Sequence, residues 1–412
     1  MVFIHMLQYL FTVFEIVLLL LLLFLFISPQ LATQDNPIVL HRTPFDSWQS
    51  SRWTPSFLAG RPGAPHILSK KGKDNIFRYF AVNQPLSNVE KMNSEKPFQE
   101  VIYPRGKFFE LLERPFDGYF YYSSGGIEML KLSDTVYSEE SLKMLTFPTH
   151  KELGQVNFWF GKENVTAYTH YDTSQNLHAM VYGQKTFLLL PPSAYSELNL
   201  YPCLHQFYRQ VHTNVLDADI AKSLRTKPLE VVLNQGEVLY IPPYWFHCVI
   251  TMETSISLNV WSNSEAFLTM ENIFASSIPF EEEWGRKKLL KALNYFIQLL
   301  TAAIVLDNHD SFVHRVYSRY QPLLLHFSAE QLQNWTTGME QYCLKEPIEQ
   351  VLDVQSIQHI REGAQELTKQ FRRIRPQAVK EINLGNFIDH LTWRILGTND
   401  LLLLPFYLHE CF

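Results

Sequence analysis

Cysteine is scarce. The chain has four, Cys203, Cys248, Cys343 and Cys411, in 412 residues, and no CxxC pair. That excludes a disulfide-stapled scaffold and argues against a zinc knuckle. Charge is sparse too: charged residues make up 18% of the chain, the formal balance is −6, and no long basic run occurs. Nothing therefore marks a nucleic-acid surface. The short Lys70-Lys71-Gly72-Lys73 stretch reads as a solvated loop, and no internal repeat is visible. Apolar residues, at 46%, are abundant enough for a large core and too abundant for a disordered chain. The length is that of roughly two to three domains.

The one long apolar run lies at the start, over residues 10–27, and is unbroken from Ile16 to Ile27. A signal peptide or a signal anchor would have such a segment. Glu15 would cost roughly 2.5–3.5 kcal/mol near the bilayer centre. Near the interface it would cost less. The expectation is a single-pass or exported chain with its body in the endoplasmic reticulum or secretory lumen. The basic residues Arg42 and Arg52 downstream weakly favour the opposite side. Asn164-Val165-Thr166 and Asn334-Trp335-Thr336 allow glycosylation.

Four regions follow from texture. Residues 1–34 form the hydrophobic leader, expected as a helix. Residues 35–133 are proline-rich and read as mixed short helices and strands. Residues 134–264 read as β. Leu177–Tyr182 and Lys185–Leu190 flank Gly183-Gln184 like a hairpin, Pro191-Pro192 ends the second run, and Val231–Leu233, Val238–Ile241, Trp245–Thr251 and Ser255–Val260 repeat the texture. Short strands without intervening helices predict a sandwich or barrel. Residues 265–412 turn helical. Leu289, Leu290, Leu293, Phe296, Ile297, Leu300 and Ile304 share one helix face, and Ser328 with Gln331 forms a capping-box pattern. Further helices are expected over Ile357–Ile374 and Leu384–Leu396, with Gly397 as a C-cap. These apolar faces serve either internal packing or a homodimer surface.

The chemistry centres on His170-Tyr171-Asp172. The tripeptide alone carries no weight at this composition. On a strand, however, residues i and i+2 share a face, so an imidazole nitrogen and a carboxylate oxygen can meet one metal. His247, after a Gly-Glu-Val-Leu-Tyr-Ile-Pro-Pro strand and turn, is the candidate third ligand. Two histidines and one carboxylate form the facial triad of non-haem Fe(II) oxygenases. A closed four-ligand zinc site is not indicated.

Asn164–Pro192, Gly236–Val249 and Ser257–Asn263, in that order and spacing, resemble the JmjC family of 2-oxoglutarate oxygenases. The resemblance covers roughly residues 134–264. It is nearest to the hydroxylase-type branch that includes the asparaginyl hydroxylase inhibiting hypoxia-inducible factor. It implies a mainly β, cupin-like double-stranded β-helix (jelly roll) with flanking helices, and Fe(II) held by His170, Asp172 and His247. It also implies that 2-oxoglutarate occupies two iron positions with its far carboxylate on Lys185, and that O2 is the co-oxidant. A buried ammonium needs such an anionic partner. Asn176 and Asn259 match family positions near the cosubstrate and iron. Thr166 and Thr169 are the hydroxyls nearest to a family position that Ala167 occupies here. Tyr121, in Tyr119-Phe120-Tyr121-Tyr122, matches a cosubstrate-contacting tyrosine. Trp159, Phe160, Trp245 and Trp261 are candidate pocket walls. His178, His205 and His212 read as structural or surface residues, and Cys248 as core. The implied activity is hydroxylation of a protein or peptide side chain; N-methyl-lysine demethylation and a non-catalytic binding scaffold are the competing readings.

Overall fold

Apolar and polar residues alternate through Ser255–Val260, and a strand sends such alternate side chains to opposite faces. The computed structural model describes residues 34–41, 49–88, 95–132, 155–281, 283–305, 309–333 and 346–397. Its strands are β1 (Ile38–Leu40), β2 (His66–Gly72), β3 (Ile76–Phe77), β4 (Gln99–Pro104), β5 (Phe120–Gly126), β6 (Gln155–Gly161) and β7 (Thr166–Tyr171). Then come β8 (Ser174–Tyr182), β9 (Gln184–Leu190), β10 (Leu229–Asn234), β11 (Val238–Ile241), β12 (Phe246–Thr251) and β13 (Ser255–Asn263). They form an eight-stranded sheet, β1-β11-β8-β13-β6-β5-β2-β4, and a five-stranded sheet, β10-β9-β12-β7-β3. This is the expected mainly β, jelly-roll core.

The eight-stranded sheet turns Val156, Phe158 and Phe160 of β6, Leu177, Ala179 and Val181 of β8, and Ile256, Leu258 and Val260 of β13 outward into one apolar cluster. Phe108, Phe109, Leu111 and Leu112 of the helix Arg105–Glu113 complete that cluster. The opposite positions face the inter-sheet space. At one end a dry plug of Met180, Phe187, Leu189, Leu233, Leu239 and Ile241 fills it; elsewhere it is lined by polar groups.

The expected hairpin about Gly183-Gln184 is corrected. β8 pairs with β11 and β13, whereas β9 pairs with β10 and β12 in the other sheet. Gly183 is therefore the corner between sheets. Its φ is +76°, and a Cβ there would lie 2.4 Å from the Thr254 carbonyl oxygen, so the corner requires glycine. β10 and β11 are split the same way. Lys70 and Lys71 are likewise not in a loop: they lie on β2, opposite Glu100 and Gln99 of β4.

Among the described residues five longer helices follow: α1 (Glu265–Ala275), α2 (Arg286–Ile304), α3 (His309–Leu324), α4 (Val354–Phe371) and α5 (Gln377–Leu396). α2, α4 and α5 match the expected periodic stretches, and Gly397 ends α5 at φ +83°. The Ser328–Gln331 capping box forms, each backbone N–H bonding the other's side chain at 3.0 and 3.2 Å. The stripe Leu293, Phe296, Ile297, Leu300 and Ile304 of α2 packs into a core shared with α3, α4, α5 and with Tyr171, Leu190, Phe246 and Cys248 of the five-stranded sheet. Internal packing thus consumes the face, and the homodimer reading has no support.

The membrane expectation is also corrected. Among the described residues no helix is long and apolar enough to cross a membrane, so the single-pass placement is not supported. The run at 10–27 that motivated the N-terminal helix lies outside the described residues, as do Asn334, Cys343 and Cys411. Asn164 occupies an exposed turn at φ +67°.

Candidate metal centre and adjoining pocket

β7 and β12 run side by side, with His247 opposite His170. The register then slips, so that Val249 faces Ala167. Two steps on β12 thus match three on β7, a bulge that re-aims side chains. It allows Ala167 and His170 both to face the inter-sheet pocket. Asp172 follows β7, and its carbonyl oxygen accepts the Tyr244 N–H at 2.7 Å. Tyr244 adopts a left-handed backbone, φ +64°, in the Pro242-Pro243-Tyr244 turn before His247. For a bulky residue that conformation is unusual and persists only where the surrounding structure holds it.

The imidazoles are oriented from behind. Nδ1 of His170 lies 2.6 Å from the Tyr168 carbonyl oxygen, and Nδ1 of His247 lies 2.9 Å from that of Trp245. An Nδ1–H donated to a carbonyl leaves the Nε2 lone pair for a metal. One ligand atom from each of His170, Asp172 and His247 lies within 4.8 Å of the others. Asp172 Oδ2 is 3.6 Å from His247 Nε2, and it is buried without a hydrogen bond. Burial, aided by His170, holds His247 down at about 4 despite Asp172 and the Trp245 carbonyl. Its imidazole is thus neutral near pH 7, the state that coordinates. Two nitrogens and an orphaned carboxylate oxygen fit a divalent metal with open positions.

Lys185 reaches the same pocket from β9, two strands from β7 in the five-stranded sheet. Its ammonium donates to Ser257 Oγ at 2.7 Å. Burial pushes it down to about 7, and no acidic group opposes that fall. A buried cation held by one hydroxyl is a receptor for an anion. Beside it, Asn259 donates from Nδ2 to the Asn176 side-chain oxygen at 3.0 Å and accepts the Trp159 indole N–H at 2.8 Å. All three line the pocket.

Other expected residues lie elsewhere. Thr166 and Thr169 do not line the pocket; Thr166 Oγ1 bonds the Asn164 carbonyl at 3.4 Å, and the Thr169 hydroxyl is buried without a hydrogen bond. Tyr121 turns away, its hydroxyl donating to Asp117 at 2.9 Å and its ring against Tyr103. The tyrosine that faces the pocket is Tyr122, one step along β5. Trp159 and Trp261 wall the pocket as expected, but Phe160 lies in the outer cluster, and Trp245 packs at the plug and donates to the Asp35 carbonyl. His178, read as structural, also lines the pocket, with a buried Nε2 that has no hydrogen bond. Alternation from Asn176 along β8 is the signal that places it there.

The helices brace this centre from outside. Tyr171, between two candidate ligands, stacks on Tyr244 with centroids 5.4 Å apart. Asn386 of α5 donates to the Tyr171 hydroxyl at 3.2 Å, and Asn383 of α5 bonds the Tyr244 hydroxyl at 2.9 Å. Outward from the triad a chamber of about 410 Å³ opens, bounded by Lys70, Arg78, Tyr122, Tyr208, Arg209 and Trp261 among others.

The sequence pattern described as "Cupin-like domain" matches residues 27–266, more than half of the chain. The lysine-specific demethylase JMJ31 of Arabidopsis thaliana is 31% identical over 136 residues, 32% of this chain and 25% of that protein. The tRNA wybutosine-synthesizing protein 4 of Emericella nidulans is 30% identical over 135 residues, 32% of this chain and 13% of that protein. The bifunctional peptidase and (3S)-lysyl hydroxylase JMJD7 of Homo sapiens is 29% identical over 132 residues, 27% of this chain and 42% of that protein. In each case the chain covers less than half of the relative's length.

Proposed function

The chain belongs to the cupin-like JmjC domain family, and from that premise we propose that it is an Fe(II)- and 2-oxoglutarate-dependent oxygenase that hydroxylates a protein or peptide side chain. The observation that carries the reading is the convergence of His170, Asp172, His247 and the uncompensated Lys185 ammonium on one pocket. The triad would hold the ferrous ion and leave positions open for cosubstrate and O2. When bound, iron with 2-oxoglutarate supplies the oxidising power to convert a substrate C–H into C–OH.

The protein's own part is placement and exclusion. Lys185, with Ser257 fixing its head, would take the far carboxylate of 2-oxoglutarate. The Asn176–Asn259–Trp159 chain holds the pocket wall in one hydrogen-bonded arrangement. Trp159 and Trp261, packed edge to face at 5.9 Å, keep bulk water from the inner pocket. Both histidines stay in one tautomer through their carbonyl partners.

The test is succinate formation from 2-oxoglutarate with added Fe(II), with and without cell-lysate protein, together with mass spectrometry of the acceptor. The wild type is expected to turn over and Asp172→Ala to be inactive. Gain of one oxygen on the acceptor supports hydroxylation; loss of a methyl group instead assigns the demethylase reading, which the Arabidopsis relative's name motivates. Absence of both turnover and metal uptake in the wild type would refute the proposal and leave a binding scaffold.

A further inference from the structure

The outer chamber carries more positive charge than the proposed chemistry needs. A ferrous ion, the Asp172 carboxylate, a 2-oxo dicarboxylate and the Lys185 ammonium sum to zero. Among the described residues three further cations line the chamber, Lys70, Arg78 and Arg209, and Asp172 is the sole acidic one. The Arg78 guanidinium carbon lies 3.5 Å from the centroid of the Tyr168 ring, and its Nη1 is buried with no hydrogen-bond partner. Arg209 is fixed next to the triad by its backbone: its carbonyl accepts the Tyr171 N–H at 3.0 Å, and its neighbour Gln210 forms a β-bridge with His170. Its own φ is +64°, a left-handed backbone, and its side chain lines the chamber. Lys70 sits over the Tyr122 and Phe98 rings at 5.3 Å each. Glu100, opposite Lys70 on β4, pairs with Lys96 at 2.8 Å.

An unpaired guanidinium nitrogen buried in a cavity is costly unless a ligand satisfies it. Resting on the oxygenase reading, we propose that the substrate is an acidic peptide segment, with carboxylate side chains flanking the oxidised residue and meeting Arg78 and Arg209. The same charge repels a methylated lysine, which would bring a fourth cation into the chamber. A nucleic-acid strand would require the basic lining to continue as a stripe outside the chamber, and the chain's balance of −6 does not provide that surplus.

The test uses the full chain loaded with Mn(II) and 2-oxoglutarate, so that binding is read without turnover. Immobilised random nonapeptide pools are compared: one with Asp and Glu at alternate positions, one with Lys and Arg there, and one with Ser and Gln. The acidic pool is expected to be retained on the order of tenfold more than the basic pool. Arg78→Gln with Arg209→Gln should abolish the preference, and each single variant should reduce it where the double variant does not fold. Equal retention of the pools, no retention of any, a basic preference, or stronger retention of a single-stranded RNA oligonucleotide overturns the inference. Binding of 2-oxoglutarate to the Mn(II)-loaded wild type is measured separately by calorimetry. Its failure removes the oxygenase reading itself; its success with undiscriminated pools removes only the acidic substrate.

Discussion

Replacing Lys185 by methionine should make the metal-free protein more stable and at the same time unable to hold 2-oxoglutarate. The ammonium is buried, is held by Ser257 alone, and is pushed from 10.5 to about 7. At pH 7.5 the folded chain must give up most of a proton that the unfolded chain keeps. That costs on the order of 4 kcal/mol of stability. Methionine keeps the unbranched stem and removes that cost, while stranding the Ser257 hydroxyl costs about 1 kcal/mol. The net gain is roughly 3 kcal/mol, several degrees in Tm for a chain of this size. The unfolded chain binds the extra proton between about pH 7 and 10.5, so the parent gains stability as pH rises through that window, and the gap to Lys185→Met closes there. Binding goes the other way. Losing the partner of a buried carboxylate costs about 3–5 kcal/mol, a hundredfold to several thousandfold in Kd. Urea denaturation of both metal-free proteins, and calorimetry of 2-oxoglutarate into the Mn(II)-loaded forms, measure the two effects. A variant less stable than its parent at pH 7.5, or one binding 2-oxoglutarate within threefold of it, would refute the reasoning.

Because Lys185 sits near 7 without ligand, 2-oxoglutarate binding at pH 8 should draw in close to one proton, and affinity should weaken as pH rises above about 7; calorimetry in buffers of different ionisation enthalpy counts the proton. Gly183→Ala should lose more than about 2 kcal/mol in thermal denaturation, since its Cβ would meet the Thr254 carbonyl at 2.4 Å in a backbone that alanine resists. Tyr244→Phe, which cuts the bond to Asn383, should cost about 1–2 kcal/mol of stability and weaken Mn(II) binding roughly tenfold, as read by metal titration. Asp172→Asn should lose the Co(II) visible spectrum that the wild type develops, because the orphaned carboxylate oxygen is the anionic donor of the site.

The strands, the longer helices and the shared face of His170 and Asp172 were legible because each rests on a short-range period, whereas His247 and Lys185 join them through separate motifs that the family resemblance relates. The two-residue step of a strand puts His170 and Asp172 on one side, and the 3-4 spacing puts Leu293, Phe296 and Leu300 on one stripe. Pairing partners were not legible. Gly183 reads identically as a hairpin tip and as a corner between sheets, and only the surrounding strands decide. Tyr121 and Tyr122 differ by one step along the strand, which reverses the face, and only the sheet's register puts Tyr122 in the pocket. Lys70 sat in a charged run that looks solvated, yet its strand carries it against two aromatic rings. Arg78 and Arg209 escaped notice because each comes to the chamber from a segment remote from the triad's motifs.

The asparagine pair on α5 joins two parts of the chain that sequence texture separates. Tyr171 and Tyr244 hang from the backbone that sets Asp172, and their hydroxyls are gripped by Asn386 and Asn383. The apolar wall behind them is shared by barrel and helices without a seam. A protein cut after residue 264 would therefore bare a greasy flank and lose the backstop of its own carboxylate. Conversely, a partner that tugs on the helices has a lever some two hundred residues away in sequence and one hydrogen bond away in space.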